Sequence, residues 1–376
     1  MNFTELKLDD KIVEAISYMG FESATPIQEQ VIPTILKNRD LIACSQTGSG
    51  KTAAFVLPIL DKLIGKKELS VDTLIIVPTR ELAIQIEQQL EGFSYFVSAR
   101  SVAVYGGGGG SDWDNQKEAL KNGTDIIVAT PGKFLSHLKL GNVDLSKVKH
   151  LVLDEADRML DMGFIFDIKT IISHLPKKHQ TLMFSATMPN SIRKLAREIL
   201  YKPVEVSLEV SKPVASVDQK VYITTENQKI DIIQDVLSNR KEYDSIIIFS
   251  STKKKISEIV RSLKRIGIKS QGISSDLEQS QREEVLRDFR SKRIRILVAT
   301  DVMSRGIDVK EINLVINYDI PQDAEDYVHR VGRTARINAK GEAITLVAKN
   351  EMYKLKRIEQ LIESSIPRVK PPQTRS

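Results

Sequence analysis

The stretch SQTGSGKT at positions 45–52 has glycine, lysine and threonine in the order of a phosphate-binding (Walker A) loop. It follows the apolar run 41–44 and precedes an apolar helical pattern, so backbone N–H groups and a helix N-terminus can cradle phosphates. Lys51 supplies a positive charge to the outer phosphates, and the Thr52 hydroxyl can bind magnesium. Ser45 stands where a glycine is usual, which a backbone with an ordinary φ angle tolerates. The predicted nucleotide-binding residues of the loop are Gln46, Thr47, Gly48, Ser49, Gly50, Lys51 and Thr52.

An acidic pair follows the apolar run 151–153, about a hundred residues after the loop. Ligands of open parallel sheets lie at the carboxyl ends of the strands. Asp154 would therefore hold magnesium, partly through water, and Glu155 would accept the proton of an attacking water. Taken alone, the two carboxylates could equally belong to a solvated turn. Together with the upstream loop they favour nucleotide hydrolysis.

These residues need parallel strands to position them, and short β-branched runs do alternate with helix-period stretches along the chain. This alternation is typical of strand-helix-strand crossovers, and it predicts an α/β fold in which mostly parallel sheets carry helices on both faces. The predicted strands of the first half are 41–44, 74–77, 102–105, 126–129, 151–153 and 182–185. Those of the second half are 220–223, 246–250, 268–272, 294–299, 314–317 and 343–347.

Two domains are expected from the length of 376 residues. The helical pattern stops within residues 205–219, and Pro213 interrupts any regular element there. The predicted organisation is a first domain at 1–207, a linker at 208–219, a second domain at 220–366 and a short, flexible basic tail at 367–376.

Composition limits the class of protein. Hydrophobic residues make up 41% and charged residues 28%, which is ordinary for a globular chain. The apolar runs are far shorter than the roughly 18 residues of a membrane helix, and the N-terminus has no secretory pattern. The single cysteine, Cys44, forms neither an internal disulfide nor a zinc cluster, so a cytoplasmic location is expected. The net charge of +6 permits a polyanionic partner without requiring one.

Asp154-Glu155-Ala156-Asp157 spells DEAD, and with the other motifs the chain resembles the DEAD-box RNA helicases, bacterial members included, over essentially its whole length. The resemblance implies two tandem RecA-like domains, a monomer, ATP and Mg²⁺ as ligands, and RNA as partner. It also implies a Q motif at GFESATPIQEQ, where Gln28 would contact adenine and Phe21 would stack on it.

The resemblance further assigns RNA contacts in the first domain to sugar and phosphate. The residues concerned are Thr79, Arg80, Gly107, Thr130 and Lys133. Five glycines stand at 106–110 where the family usually has a pair, and Lys133 replaces the usual arginine. The SAT tripeptide, with Ser185 and Thr187, would couple hydrolysis to strand separation by hydrogen bonding to Asp157.

In the second domain, the resemblance covers IIIFSST, QSQR, VATDVMSRGIDV and HRVGRTAR. Two departures occur here: Ser274-Ser275-Asp276 replaces a usual His-Gly-Asp, and Ala335 replaces a common glycine. The implied RNA contacts are Arg282, Thr300 and Gly306. The implied nucleotide contacts are Asp308 at the ribose and Arg333 and Arg336 at the γ-phosphate, with His329 joining the RNA and nucleotide sites.

Three functions are compatible with this pattern. The favoured one is an RNA-stimulated ATPase that unwinds short RNA duplexes locally, without processivity, or remodels RNA–protein complexes, its ATP site being split between the domains. The alternative is a slowly cycling, ATP-gated RNA clamp. A DNA translocase is disfavoured because such motors lack this Q motif and the DEAD tetrapeptide.

Overall fold

The computed structural model describes residues 1–45, 48–107, 110–208, 217–274, 276–301, 312–334 and 341–371. The chain divides into two compact units, Met1–Val210 and Ser211–Ser376. Each contains one seven-stranded sheet. Most of the predicted linker, 209–216, lies outside the described residues, and its last residues, from Val217, already belong to a strand of the second unit.

The first unit is built on a sheet in the order β3-β4-β2-β5-β6-β1-β7, and all its described pairings are parallel. Its strands are β1 Leu41–Cys44, β2 Thr73–Ile76, β3 Ser101–Val104, β4 Ile126–Ala129, β5 His150–Leu153, β6 Gln180–Ser185 and β7 Val204–Ser207. The first six match predicted strands to within two residues. β7 was not predicted, and it pairs with β1 at the edge of the sheet.

Nine helices are described in the first unit, after a 3₁₀ helix at Phe3–Leu6. They are α1 Asp10–Tyr18, α2 Pro26–Leu36, α3 Lys51–Leu63, α4 Arg80–Phe93, α5 Gly110–Asn122, α6 Pro131–Lys139, α7 Ala156–Asp161, α8 Ile165–Ser173 and α9 Asn190–Ile199. Local chemistry sets several N-termini. Pro26 opens α2 behind a capping box formed by Thr25 and Gln28, and the Thr79 hydroxyl accepts a bond from the backbone of Leu82 at the start of α4.

Side chains that alternate along each strand enter two separate cores, one on each face of the sheet. Ile75 and Val77 pack into the core covered by α1–α4, whereas Leu74 and Ile76 pack into the core covered by α6–α9. Because both faces are covered, the central strands β1, β2, β4 and β5 are mostly apolar along their length rather than alternating. The predicted helix-covered parallel sheet is confirmed.

The second unit has the strand order β10-β11-β9-β12-β13-β8-β14, again parallel in every described pairing. Its strands are β8 Val217–Thr224, β9 Ile246–Phe249, β10 Ser270–Ile273, β11 Ile296–Ala299, β12 Leu314–Asn317, β13 Gly341–Ala348 and β14 Arg368–Val369. Its described helices are α10 Lys229–Ser238, α11 Lys253–Arg265, α12 Gln279–Arg290, α13 Ala324–Val331 and α14 Met352–Leu361, with 3₁₀ helices at Glu226–Gln228 and Lys349–Glu351. Gly267, with φ of 78°, follows α11 in the C′ position, where a glycine commonly ends a helix.

The prediction of a flexible tail from residue 367 is wrong at its start. Arg368–Val369 forms β14, which extends the sheet beside β8. The Arg368 guanidinium donates to both carboxylate oxygens of Glu359, at 2.6 and 2.8 Å, and this pair holds the segment against α14. Residues 372–376 lie outside the described part of the chain.

Candidate functional site

The strand order brings three distant segments together at the carboxyl edge of the first sheet. β6 lies between β5 and β1, so the segments that follow these three strands are neighbours. Cys44 is paired with Ser185, and the Ser45 N–H donates to the Ser185 carbonyl at 3.1 Å. The glycine-rich loop, the acidic pair and the SAT tripeptide therefore converge on one edge.

The described residues of the loop after β1, 45 and 48–50, lead directly into α3. Gly48 and Gly50 have φ angles of 84° and 92°, in the left-handed region that favours glycine, and Lys51 opens α3 directly afterwards. The Lys51 ammonium donates to the Ser45 carbonyl at 2.5 Å, folded back over the loop. Ser45 lies outside the left-handed region, and its hydroxyl is 2.9 Å from that of Ser49. Gln46 and Thr47 lie outside the described residues.

Gln28 is fully buried and connects α2 to the loop. Its amide oxygen accepts a bond from the Thr25 N–H at 2.9 Å, and its amide nitrogen donates to the Gly50 carbonyl at 3.2 Å. The amide that the resemblance assigns to adenine thus also anchors the phosphate loop. Phe21, the predicted stacking residue, packs edge-on against Phe93, with ring centroids 5.5 Å apart.

The acidic pair follows β5, as predicted. Asp154 is only 3% exposed, and burial raises its pKa to about 7 despite the nearby positive charge of Lys51. Glu155 has a φ of 51°, and its carboxylate accepts a bond from the Arg158 guanidinium at 2.8 Å. The Asp154 carboxylate, whose charge is left uncompensated by burial, and the Thr52 hydroxyl at the start of α3 are hard oxygen donors of the kind that Mg²⁺ prefers.

Asp157 joins α7 to the segment after β6. Its carboxylate accepts bonds from the Ala186 N–H at 3.2 Å, the Thr187 N–H at 2.9 Å and the Thr187 hydroxyl at 2.8 Å. The Ser185 hydroxyl donates to the Thr187 carbonyl at 2.7 Å and accepts from the Asp157 N–H at 3.3 Å. The expected bonding of SAT to Asp157 is present in the structure.

The other half of the same edge, after β2, β4 and β3, carries the residues assigned to RNA in the first unit. Thr79 and Thr130 are the N-cap residues of α4 and α6, and Gly107 is exposed with a φ of 93°. The Arg80 guanidinium lies 4.5 Å from the Tyr105 ring centroid, and the Lys133 ammonium lies 4.2 Å from that of Trp113. The two aromatic rings were not identified from the sequence, although Tyr105 directly precedes the glycine run.

In the second unit the described predicted residues are Arg282 in α12, Thr300 after β11, His329 in α13 and Arg333 just beyond it. Gly306, Asp308 and Arg336 lie outside the described residues, as does Ser275. Arg333 is largely buried, at 8% exposed.

Arg330 is a residue of this region that the sequence analysis missed. Its guanidinium donates to both Asp301 carboxylate oxygens, at 2.5 and 2.7 Å, and to the Asn317 side chain at 3.0 Å. A signal was present in the sequence, because Arg330 lies three residues after the buried Tyr327 and the two side chains therefore share one helix face. It ties α13 to the end of β11.

A second missed cluster surrounds Asp319, just after β12. Its carboxylate accepts bonds from Lys255 at 2.7 Å, from fully buried Lys229 at 3.1 Å and from the Ser251 N–H at 2.8 Å. Burial raises the pKa of Asp319, but the hydrogen bonds from Lys255 and Ser251 outweigh it and hold that pKa well below its usual range. The cluster links α10, α11, β9 and β12.

Within the described part of the chain, every helix is too short or too polar to cross a membrane.

Known proteins resemble the chain in both units. The sequence profile of the DEAD/DEAH box helicases matches residues 25–195, and that of the helicase conserved C-terminal domain matches residues 228–338. The ATP-dependent RNA helicase CshA of Listeria monocytogenes is 45% identical over 359 residues, which cover 95% of this chain and 68% of that protein. The DEAD-box ATP-dependent RNA helicase CshA of Geobacillus kaustophilus is 42% identical, over 98% of this chain and 78% of that protein.

Among solved structures, S. cerevisiae Dbp5 bound to RNA and ADP BeF3 matches with a TM-score of 0.88 and 31% identity, over 98% of this chain and 95% of that one. DEAD-box helicase Mss116 bound to ssRNA and UDP-BeF matches with a TM-score of 0.87 and 30% identity, over 98% and 79%.

Proposed function

The chain belongs to the DEAD/DEAH box helicase family, and from that premise we propose that it is an ATP-dependent RNA helicase that remodels short stretches of RNA structure. Its two units are the tandem RecA-like domains of this family. The observation that supports the proposal most directly is the convergence of Lys51, Asp154 and Ser185 on one sheet edge.

ATP is the proposed substrate, and it would bind at the carboxyl edge of the first unit's sheet. The loop N–H groups from Gln46 to Thr52 would bind its phosphates, and the Lys51 ammonium would leave the Ser45 carbonyl for the outer phosphates. Glu155 would take the proton of the attacking water. Thr52 and Asp154 would hold Mg²⁺, which supplies charge neutralisation at the phosphate oxygens. Gln28 and Phe21 are proposed to select adenine.

RNA is the proposed partner of the other half of this sheet edge, which follows β2, β4 and β3. Thr79, Arg80, Gly107, Thr130 and Lys133 would contact phosphate and sugar, as would Arg282, Thr300 and Gly306 of the second unit. Contacts of this kind bind a strand independently of its sequence and depend on salt. Discrimination of RNA from DNA would then depend on 2′-hydroxyl contacts.

Coupling between the two ligands is proposed to pass through Asp157 and the segment Ser185–Thr187, because their hydrogen bonds join the acidic pair's helix to the end of β6. Arg333 and Arg336 would stabilise charge at the γ-phosphate, and Asp308 would contact the ribose, with His329 linking the two ligands. Two ligands that favour the same conformation bind cooperatively. A cytoplasmic location and a monomeric state are further parts of the proposal.

The test is steady-state ATP hydrolysis without nucleic acid, with single-stranded RNA, and with DNA of the same sequence, all at one salt concentration. Strong stimulation by RNA alone is expected. Glu155→Gln should bind RNA in the presence of ATP while hydrolysis stops, and normal hydrolysis by this variant would refute the assigned base. If neither nucleic acid stimulates hydrolysis but ATP-dependent RNA binding persists, the slow clamp replaces the helicase.

A further inference from the structure

Trp113, the single tryptophan of the chain, lies against two residues of α6. The Lys133 ammonium is 4.2 Å from its ring centroid, a cation–π distance. The His137 imidazole stacks on it, with centroids 4.0 Å apart and an interplanar angle of 15°. Lys133 and His137 are four residues apart, so they project from the same side of α6. One indole in α5 thus contacts two successive turns of α6.

The His137 side chain holds the Trp113 indole in place. It is fully buried, and its Nδ1 is 3.3 Å from the Asn142 amide nitrogen. Burial, together with the positive charges of Lys133 and Lys117, lowers its pKa to about 4. The imidazole is therefore neutral at neutral pH, and it supports the indole without repelling the lysine beside it.

Lys133 is the side chain that most needs such support. An arginine has a planar, preorganised fork for phosphate, whereas lysine carries a point charge on a flexible four-carbon stem. Immobilising that stem at the moment of binding costs conformational entropy. An aromatic face that already attracts the ammonium removes part of that cost. Arg80, with its guanidinium over Tyr105 on the same edge, is held by the same kind of contact.

We propose that Trp113 is a positioning residue for RNA binding, whose indole holds the Lys133 ammonium where a phosphate of the bound strand reaches it. The inference rests on the proposed function, in particular on Lys133 as an RNA contact. It describes how a lysine can be held in place at a position where the resembling family usually has arginine. Trp113 itself acts through Lys133.

The test is a double-mutant cycle on RNA affinity, measured with labelled single-stranded RNA and a non-hydrolysable ATP analogue. Trp113→Leu should weaken RNA binding by about two- to fivefold, which is what an exposed cation–π contact is worth. In the Lys133→Ala background, the same change should have no further effect. Trp113→Phe, which keeps an aromatic face, should recover part of the affinity. Lys139→Ala, a change of an exposed lysine on the same helix, is the matched control and should add independently to Trp113→Leu.

Because Trp113 is the only tryptophan, its fluorescence in the wild-type chain gives a second readout. Emission should change when RNA binds, and Lys133→Ala should remove that change. Wild-type affinity in Trp113→Leu, an equal loss with and without Lys133, or unchanged emission on RNA binding would each overturn the inference. A wild-type chain that binds no RNA with the ATP analogue would instead overturn the proposed function, and the inference with it.

Discussion

At the scale of single residues, Gly50 combines two constraints, of which Gly48, the other described glycine of the loop, shares only one. Its φ of 92° disfavours any side chain, and a Cβ there would lie 2.5 Å from the amide nitrogen of Gln28. The Gln28 amide, which caps α2, also donates a hydrogen bond to the Gly50 carbonyl and leaves no room for a side chain at position 50. Gln28 therefore restricts the residue type at position 50 in addition to the backbone angle.

Gly50→Ala is expected to weaken ATP binding by at least about tenfold, since a left-handed alanine costs about 1–2 kcal/mol before the clash is counted. Gly48→Ala is the matched control, because Gly48 has a φ of 84° but, among the described residues, no atom within 4 Å of the position that a Cβ would take. Gly48→Ala therefore introduces the backbone strain without the clash, and its loss of ATP affinity should be smaller than that of Gly50→Ala. Titration of a fluorescent ATP analogue measures both, and equal losses would contradict a role for the Gln28 contact.

At the scale of elements, Asp319 holds α10 and α11 to the ends of β9 and β12. Its pKa is lower in the folded than in the unfolded chain. The stability that it contributes is therefore complete above the unfolded pKa of about 3.9, and it declines as the pH falls from there towards the folded pKa. The cluster favours the folded state at neutral pH and weakens in acid.

Asp319→Asn should lower the free energy of unfolding by about 3 kcal/mol at neutral pH, because the buried Lys229 ammonium loses a charged partner. The difference from wild type should shrink below about pH 4. Asp276→Asn, which removes an exposed partner of Lys253, is the control and should cost under about 1 kcal/mol. Urea unfolding across a pH series measures both, and a difference independent of pH would contradict the assignment.

Another element-scale prediction concerns β14. Glu359 of α14 accepts two bonds from Arg368 and one from the Ile366 N–H at 2.8 Å. Glu359→Ala should cost about 1–3 kcal/mol, because a half-buried backbone donor loses its acceptor and the strand loses its anchor. Gln360→Ala, an exposed change in the same helix, should cost little. Hydrogen exchange of the β14 amides and the midpoint of unfolding measure the effect. Unchanged protection of β14 in Glu359→Ala would show that pairing with β8 holds the strand without Glu359.

At the scale of the whole molecule, the chain comprises two units, each with its own sheet and its own cores. The phosphate loop and the acidic pair both belong to the first. The arginines of HRVGRTAR belong to the second. If the proposed assignments hold, substitutions in different units should affect nucleotide binding and RNA-stimulated hydrolysis separately.

Arg333→Ala should leave ATP binding close to wild type but reduce RNA-stimulated hydrolysis by about 10³-fold, as loss of an arginine finger does. Arg330→Ala is the contrasting variant. It should destabilise the second unit, because Arg330 is buried and paired with Asp301. Nucleotide titration, hydrolysis rates and unfolding curves distinguish the two, and a loss of ATP binding in Arg333→Ala would contradict the assigned role.

Much of the fold was predictable because its signals are local. Apolar runs such as 246–249 and the helix stop at Gly267 are encoded by neighbouring residues, and so is the order of loop and helix at Lys51. β7 was not predicted because its sequence VEVS alternates apolar and polar residues, and β14 was not predicted because it has only two residues; the structure pairs them with β1 and β8.

The sequence by itself determined the residue types of the nucleotide site and their position after successive strands. Only the tertiary structure decided that β1 lies beside β6, so that the loop meets Asp154 and Ser185, and that the Gln28 amide reaches Gly50. Only the tertiary structure showed that Trp113 lies against Lys133 and that Lys229 and Lys255 both contact Asp319. The physical reason is that element identity depends on local periodicity, whereas contacts between distant segments depend on strand order and on packing over the whole unit.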